Sequence, residues 1–149
     1  MSAFEGYIMG IPSENPETIA DSSVTGTKDS PVRQSVLVVD DEENFLTLLY
    51  WFLSQRGYHV VTAGSAEEAL ALPVDEVFDV ALLDIKLGSV DGICLLEQLV
   101  QRSPNLKVIM MTAYPTVGSI KQAHEKGAIR YLTKPVNLPE LVRVIKQLF

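Results

Sequence analysis

The sequence has a single cysteine, Cys94, and no apolar run close to the length of a membrane span. One cysteine cannot form a disulfide within the chain, so a disulfide-stapled fold is excluded and a reducing, cytoplasmic location is expected. A membrane span needs about 20 consecutive apolar residues, so we expect no membrane association. The first residues also lack a basic stretch followed by an apolar one, so no secretory signal is expected.

Basic residues are also scarce. The chain has 12 lysines and arginines against 19 aspartates and glutamates, a formal net charge of −7. Nucleic acids and anionic membranes attract basic surfaces, so neither is expected to bind this chain directly. The remaining composition is that of a globular domain, because 149 residues with 47% hydrophobic and 21% charged side chains can bury one core.

The composition of the sequence changes near residue 35. Residues 1–34 are rich in Ser, Thr, Pro, Glu and Gly and show no hydrophobic period, so we predict a flexible N-terminal arm or leader there and one folded domain over 35–149. Within that domain, five apolar and β-branched runs predict strands. These are VLVV (36–39), YHVVTA (58–63), DVALL (79–83), KVIMM (107–111) and IRYL (129–132).

Helical segments lie between these strands. Apolar residues at helical spacing predict buried faces on the first and last helices: Phe45, Leu48, Leu49, Phe52 and Leu53, and then Leu138, Leu141, Val142 and Ile145. Ser65 and Asn137 are typical N-cap residues, while Gly57 and Gly127 are typical of helix C-termini. Strand and helix therefore alternate five times.

This alternation, with strands that are apolar on both faces, predicts a parallel sheet covered by helices on both sides. The predicted fold class is α/β, a five-stranded, doubly wound sandwich. In its flavodoxin-like (βα)5 version, with strand order 2-1-3-4-5, ligands bind at the carboxyl ends of strands 1 and 3, where the winding reverses. Functional side chains are therefore expected at the carboxyl ends of the strands.

Acidic side chains follow two of the predicted strands. Asp40 and Asp41 end the first strand and Asp84 ends the third, while Thr112 and Lys134 follow the fourth and fifth. Crowded carboxylates repel one another unless a cation is present, and hard oxygen ligands suit Mg²⁺. Taken singly, each aspartate is more simply explained as a helix or turn cap. Their joint placement near Lys134 favours a Mg²⁺ site.

A carboxylate held beside Mg²⁺, a lysine and a hydroxyl is a plausible phosphoryl acceptor. Aspartyl phosphates form by attack of an oxygen that is already anionic, and positioning and charge neutralisation supply most of the catalysis. In this hypothesis Asp84 attacks the phosphorus, Lys134 binds one phosphoryl oxygen and Thr112 donates to another. His59 and His124 are expected at the surface, with no part in the chemistry.

Four segments together resemble the receiver domain of two-component response regulators: VLVVDDEE, ALLDIKLGSVDG, VIMMTAY and YLTKP. The resemblance covers residues 35–149. It implies that Asp84 is the phosphoacceptor. It also implies that Asp40, Asp41 and Asp84 bind Mg²⁺ together with the backbone carbonyl of Lys86.

The resemblance further implies a conformational switch. Thr112 and Lys134 would contact the phosphoryl group, with Thr112 moving toward it while Tyr131 in the fifth strand turns inward. Such a switch is a local charge change that biases a two-state element. Its output face would be the fourth helix, the fifth strand and the fifth helix, and the Lys134–Pro135 bond is often cis in this family.

Two positions near the acceptor set this chain apart. Receivers usually carry Pro-Gly where this chain has Gly88 and Ser89, so a looser loop is expected. Tyr114 resembles the bulky residue of enhancer-binding transcription regulators of the nitrogen-regulatory type. We expect it to shield the acyl phosphate from water, with Lys86 on the other side, and so to slow self-dephosphorylation.

The function implied is a phosphorylation-controlled signalling module that catalyses only its own phosphorylation and dephosphorylation. A histidine kinase or phosphotransfer protein would supply the phosphoryl group, and an output partner or domain, transcriptional by the likeness of TAY and YLTKP, would receive the signal. A homodimer is left open. The alternatives are a phosphorylation-independent interaction module and a Mg²⁺-dependent phosphatase or hydrolase. The intact set of acids, threonine and lysine weighs against the first, and the lack of an evident cap or further acid weighs against the second.

Overall fold

The computed structural model of the chain describes residues 33–149. In chain order the elements are β1 (Ser35–Val39), α1 (Glu43–Gln55), β2 (His59–Ala63), α2 (Ala66–Leu70), β3 (Val80–Asp84), β4 (Lys86–Leu87), β5 (Val90–Asp91), α3 (Gly92–Arg102), β6 (Lys107–Thr112), α4 (Val117–Glu125), β7 (Ala128–Thr133) and α5 (Leu138–Gln147). The arm predicted over residues 1–34 lies, apart from its last two residues, outside the described part. Within residues 33–149, no helix combines the length and apolar character needed to cross a bilayer.

Five parallel strands form the central sheet in the order β2-β1-β3-β6-β7. This is the predicted order, with the winding reversed between the neighbouring strands β1 and β3. Val39 pairs with Leu83, so Asp40, which follows β1, and Asp84, the last residue of β3, lie at the same level. The predicted convergence of strand ends is therefore built into the register.

Helices cover both faces of the sheet, as the apolar runs predict. On one face, α1 and α5 contribute the fully buried Leu49, Leu53, Leu141 and Ile145. On the other face, α2, α3 and α4 pack small and branched side chains against the same strands. Leu48 was predicted to be part of the buried face of α1, and that prediction is wrong because its residue is 46% exposed.

Helix ends follow the predicted chemistry. The Ser65 hydroxyl accepts from the Glu68 amide at 3.0 Å, and the Asn137 side chain accepts from the Glu140 amide at 2.9 Å. Gly57 and Gly127, which follow α1 and α4, have φ angles of 93° and 116°, which favour glycine. These ends fix the loops that carry the chain from one strand to the next.

Candidate functional site

Carboxylates and an ammonium group meet at the carboxyl edge of the sheet. Lys134 Nζ donates to Asp40 Oδ2 at 2.6 Å and to Asp84 Oδ2 at 3.2 Å. Asp40, Asp41 and Asp84 each offer a carboxylate oxygen, and these oxygens lie within 4.8 Å of one another. The structure thus brings together the acids and the lysine that the sequence places at separate strand ends.

The two consecutive aspartates after β1 point to different partners. Asp40 is fully buried and its Oδ1 accepts from the Glu42 amide at 2.9 Å, which closes a local turn. Asp41 is exposed and its Oδ2 accepts from the Gly88 amide at 3.0 Å, across the site. The N-cap residue of α1 is Glu42, and its side chain makes no capping hydrogen bond. Helix capping therefore does not account for this acidic pair.

Asp84 is 7% exposed, and its Oδ1 accepts from the Lys86 amide at 3.2 Å. Burial and then the negative charge of Asp40 raise the pKa of Asp84, and the nearby Lys134 opposes this rise. The rise prevails because burial, its largest cause, disfavours the charged carboxylate more than Lys134 and the Lys86 amide favour it. The buried site therefore holds an excess of negative charge, which an added cation would relieve.

Lys134 is held from two sides. Burial alone would lower its pKa, but the hydrogen bond and charge of Asp40, together with those of Asp84, outweigh burial and raise the pKa of Lys134. Its Nζ also lies 4.8 Å from the centre of the Phe45 ring in α1. Hydrophobic spacing predicts Phe45 only as a core residue, so this contact was not foreseen.

The segment after Asp84 is a short antiparallel hairpin, in which Lys86 pairs with Asp91 and Leu87 with Val90. We expected a looser loop here. Gly88 turns the hairpin with a φ of 61°, and its amide donates to Asp41 Oδ2. The Lys86 carbonyl as a metal ligand stays a prediction.

Gly92 begins α3 directly behind the end of β3. A Cβ at this position would overlap the Asp84 carbonyl oxygen and lie 2.9 Å from Ile85 Cα, closer than atoms pack in proteins. The Gly92 amide donates to the Ile85 carbonyl at 2.5 Å. A side chain here would therefore displace the backbone of Asp84, a constraint that sequence reasoning missed.

Thr112, the last residue of β6, and the nearby Tyr114 lie at the same edge of the sheet as the acids. Thr112 is 5% exposed and its Oγ1 accepts from the Tyr114 amide at 3.1 Å, which leaves the hydroxyl proton to donate elsewhere. Tyr114 is 82% exposed and lines the same open cavity as Asp84 and Lys134. Its position fits the predicted shield, and the shielding itself stays a prediction.

Tyr131 in β7 is half-buried, and its hydroxyl lies 2.8 Å from the Ser119 hydroxyl. Ser119 also forms a reciprocal capping box with Thr116 at the start of α4. Tyr131 is thus tied to the helix that follows Thr112, and its role as a switch stays a prediction. Sequence reasoning missed Ser119, whose only signal was its place three residues after the N-cap threonine.

These side chains line one open cavity of about 930 Å³. Its lining includes all the predicted acidic, hydroxyl and lysine residues: Asp40, Asp41, Asp84, Lys86, Thr112, Tyr114 and Lys134. Tyr131 is not among the residues that line it. The cis Lys134–Pro135 bond is present, as expected.

A family model for the response regulator receiver domain matches residues 36–146. The chain belongs to the response regulator receiver family. Among solved structures it is similar to a CheY-like receiver domain protein from Methanospirillum hungatei JF-1, with a TM-score of 0.75 and 36% identity over 78% of this chain and 93% of that one. It is also similar to a response regulator from Burkholderia pseudomallei crystallised with a phosphorylated aspartic acid, a calcium ion and citrate. There the TM-score is 0.70 and the identity 34%, over 73% of this chain and 64% of that one.

The chain is also similar to part of a longer protein. Transcriptional regulatory protein ZraR of Escherichia coli K12 is 35% identical over 112 residues, which is 75% of this chain and 25% of that protein. The chain thus spans about a quarter of the length of this relative. The match therefore does not assign to this chain the function of the remaining part of that relative.

Proposed function

We propose that this receiver domain accepts a phosphoryl group on Asp84 and so acts as the input switch of a two-component regulator. The contact of Lys134 with both Asp40 and Asp84 carries the proposal, because it places a cation beside a buried, anionic acceptor. The Burkholderia relative, whose aspartic acid is phosphorylated, supports it. A phosphorylation-independent interaction module is not favoured, since the acids, threonine and lysine are all brought together.

The transfer needs no separate base. A carboxylate oxygen of Asp84 forms the bond to phosphorus while the bond from phosphorus to the donor breaks, and that electron pair leaves with the donor. Lys134 would bind one phosphoryl oxygen, and the Thr112 hydroxyl would donate to another. Both groups neutralise charge that moves onto the phosphoryl oxygens.

The acidic cluster fits a divalent cation. Its donors are hard carboxylate oxygens within 4.8 Å of one another. Burial and the charge of Asp40 raise the pKa of Asp84, and a bound cation would favour its carboxylate form. Asp40, Asp41 and Asp84, with the Lys86 carbonyl, would hold Mg²⁺. When bound, the ion would neutralise charge on the carboxylates and the phosphoryl oxygens.

Partners follow from the same proposal. A histidine kinase or phosphotransfer protein would donate the phosphoryl group, and an output domain or partner would respond. The name of ZraR, a transcriptional regulatory protein, supports a transcriptional output. The responding face would be α4, β7 and α5, where Ile120 and Ile129 are exposed beside Tyr131.

Acetyl phosphate with Mg²⁺ tests the proposal by intact mass. We expect one phosphoryl unit on the native chain, and none on Asp84→Asn or after chelation of the metal. Asp75→Asn, which changes an exposed acid between α2 and β3, is the matched control and should be phosphorylated normally. Addition to Asp84→Asn, or continuous phosphate release without a stable adduct, would contradict the proposal and favour a hydrolase.

A further inference from the structure

A second groove, of about 600 Å³, lies on the other side of Asp41 from the phosphorylation cavity. It runs between α1 and the segment that joins β2 to α2. Its walls are Asp41, Glu43, Leu46, Thr47, Tyr50, Trp51, Thr62, Gly64 and Glu68. We call it the α1 groove. The proposed phosphoryl transfer uses none of these side chains except Asp41.

Two adjacent aromatic residues of α1 line this groove while open to solvent. Tyr50 is 48% exposed and Trp51 is 52% exposed. The core face of α1 is formed by Leu46, Leu49 and Leu53, so packing of the sheet does not account for two large aromatics here. Exposed tyrosine and tryptophan side chains are enriched at binding surfaces, where they supply much of the affinity.

Carboxylates flank these aromatics. Glu43 begins α1 and is exposed, and Glu68 is fixed in α2 by the hydrogen bond that its carboxylate accepts from the Gly64 amide. Asp41 borders both cavities and its carboxylate accepts from the Gly88 amide, whereas Glu43 and Glu68 line this groove and not the phosphorylation cavity. Among the described residues that line the groove, none is lysine or arginine.

Aromatic faces next to carboxylates are complementary to a guanidinium or ammonium group. Such a cation can stack on the aromatic rings and pair with the acids at once. A second copy of this chain is disfavoured by mutual repulsion, because each chain has a net charge of −7.

The chain's own N-terminal segment is also a poor occupant, on composition alone. Residues 1–32 carry the following charged side chains: Glu5, Glu14, Glu17, Lys28, Asp21 and Asp29. Their acidic excess repels an acidic groove. The charge of the groove therefore selects a basic segment from another protein.

We propose that the α1 groove binds an arginine- or lysine-bearing segment of a partner protein. Tyr50 and Trp51 provide the contact area, and Glu43 and Glu68 select the charge. Because Asp41 borders both cavities, the bound segment lies directly beside the proposed phosphorylation site. Binding here does not depend on phosphoryl transfer, so the two proposals can fail separately.

Trp51 is the only tryptophan of the chain, so its fluorescence reports on the groove alone. The experiment titrates the full chain, with Mg²⁺ present to engage Asp41, with a capped tetra-arginine peptide and, separately, with tetra-glutamate. We expect a saturable change in Trp51 emission with tetra-arginine and none with tetra-glutamate. No change with either peptide would overturn the proposal.

Variants separate groove binding from general attraction to an acidic protein. Glu43→Gln and Tyr50→Ser should each raise the dissociation constant by about three-fold or more, with the fold checked by circular dichroism. Asp75→Asn removes the same charge as Glu43→Gln, but from a loop outside the groove, and should leave affinity nearly unchanged. Equal weakening by Asp75→Asn would overturn the proposal. So would self-association that Tyr50→Ser abolishes, because the occupant would then be a second copy.

Discussion

Gly92→Ala tests how closely α3 is packed behind Asp84, the proposed phosphoacceptor. An added Cβ would overlap the Asp84 carbonyl oxygen and lie 2.9 Å and 3.0 Å from Ile85 Cα and the Asp84 carbonyl carbon. Favourable carbon contacts lie at about 3.5 to 4.0 Å. These neighbours are backbone atoms, so no change of rotamer can relieve the overlap, and the backbone after β3 must move.

Overpacking of this kind costs about 1 to 3 kcal/mol. Gly118→Ala is the matched control, because Gly118 lies in the first turn of α4 and the nearest atom to an added Cβ, Thr116 Oγ1, is 4.0 Å away. There the lower backbone entropy of the unfolded chain should stabilise the protein by up to about 1 kcal/mol. The two alanine variants should therefore differ by about 1 to 4 kcal/mol.

Urea unfolding followed by circular dichroism measures both free energies of unfolding, and an unchanged m-value would show that the comparison is valid. Gly92→Ala should also slow phosphorylation by acetyl phosphate, because it shifts the strand that carries Asp84. If Gly92→Ala were as stable as Gly118→Ala, the inferred close approach of α3 to the acceptor strand would be refuted.

Three further predictions concern the site. Lys134→Met should cost about 3 kcal/mol, because it leaves the buried charges of Asp40 and Asp84 without a partner. Lys126→Met, which breaks an exposed pair with Glu97, should cost no more than about 1 kcal/mol by the same urea assay, and equal costs would be inconsistent with a buried pair. Burial and the charge of Asp40 raise the pKa of Asp84, so without metal the native chain should lose stability relative to Asp84→Asn as pH rises from about 4 through that raised pKa. Unfolding curves at several pH values that give a constant or increasing difference would reject this. Tyr114→Ala should lose the phosphoryl group severalfold faster than the native chain, whose adduct should outlast seconds when followed by intact mass; an unchanged rate would remove the shielding role.

The fold was predictable from the sequence because its signals are local and repeated. Each buried strand is a short apolar run. The alternation of strands with helices favours a doubly wound parallel sheet with strand order 2-1-3-4-5. Ser65 and Asn137 act as predicted because capping depends on a few consecutive residues. The burial of Leu48 was predicted wrongly because helical spacing identifies the apolar stripe of a helix. It does not show which residues at the edge of that stripe are exposed.

Only those site residues that lie at the ends of strands could be predicted from the sequence. Parallel register brings Asp40 and Asp84 together, so their convergence follows from the fold. Contacts that depend on tertiary distances were not predictable, such as the Phe45 ring beside Lys134 or the Ser119 hydroxyl beside Tyr131. The hairpin after Asp84 was missed because each of its strands has only two residues, too short for a periodic pattern.

The position of the phosphoryl group tests the central claim most directly. After reaction with acetyl phosphate and Mg²⁺, borohydride reduces an aspartyl phosphate to homoserine, and tandem mass spectrometry then locates the altered residue. We predict homoserine at position 84 alone. Homoserine at Asp40, at Asp41 or elsewhere, with Asp84 unmodified, would contradict the assignment of the acceptor.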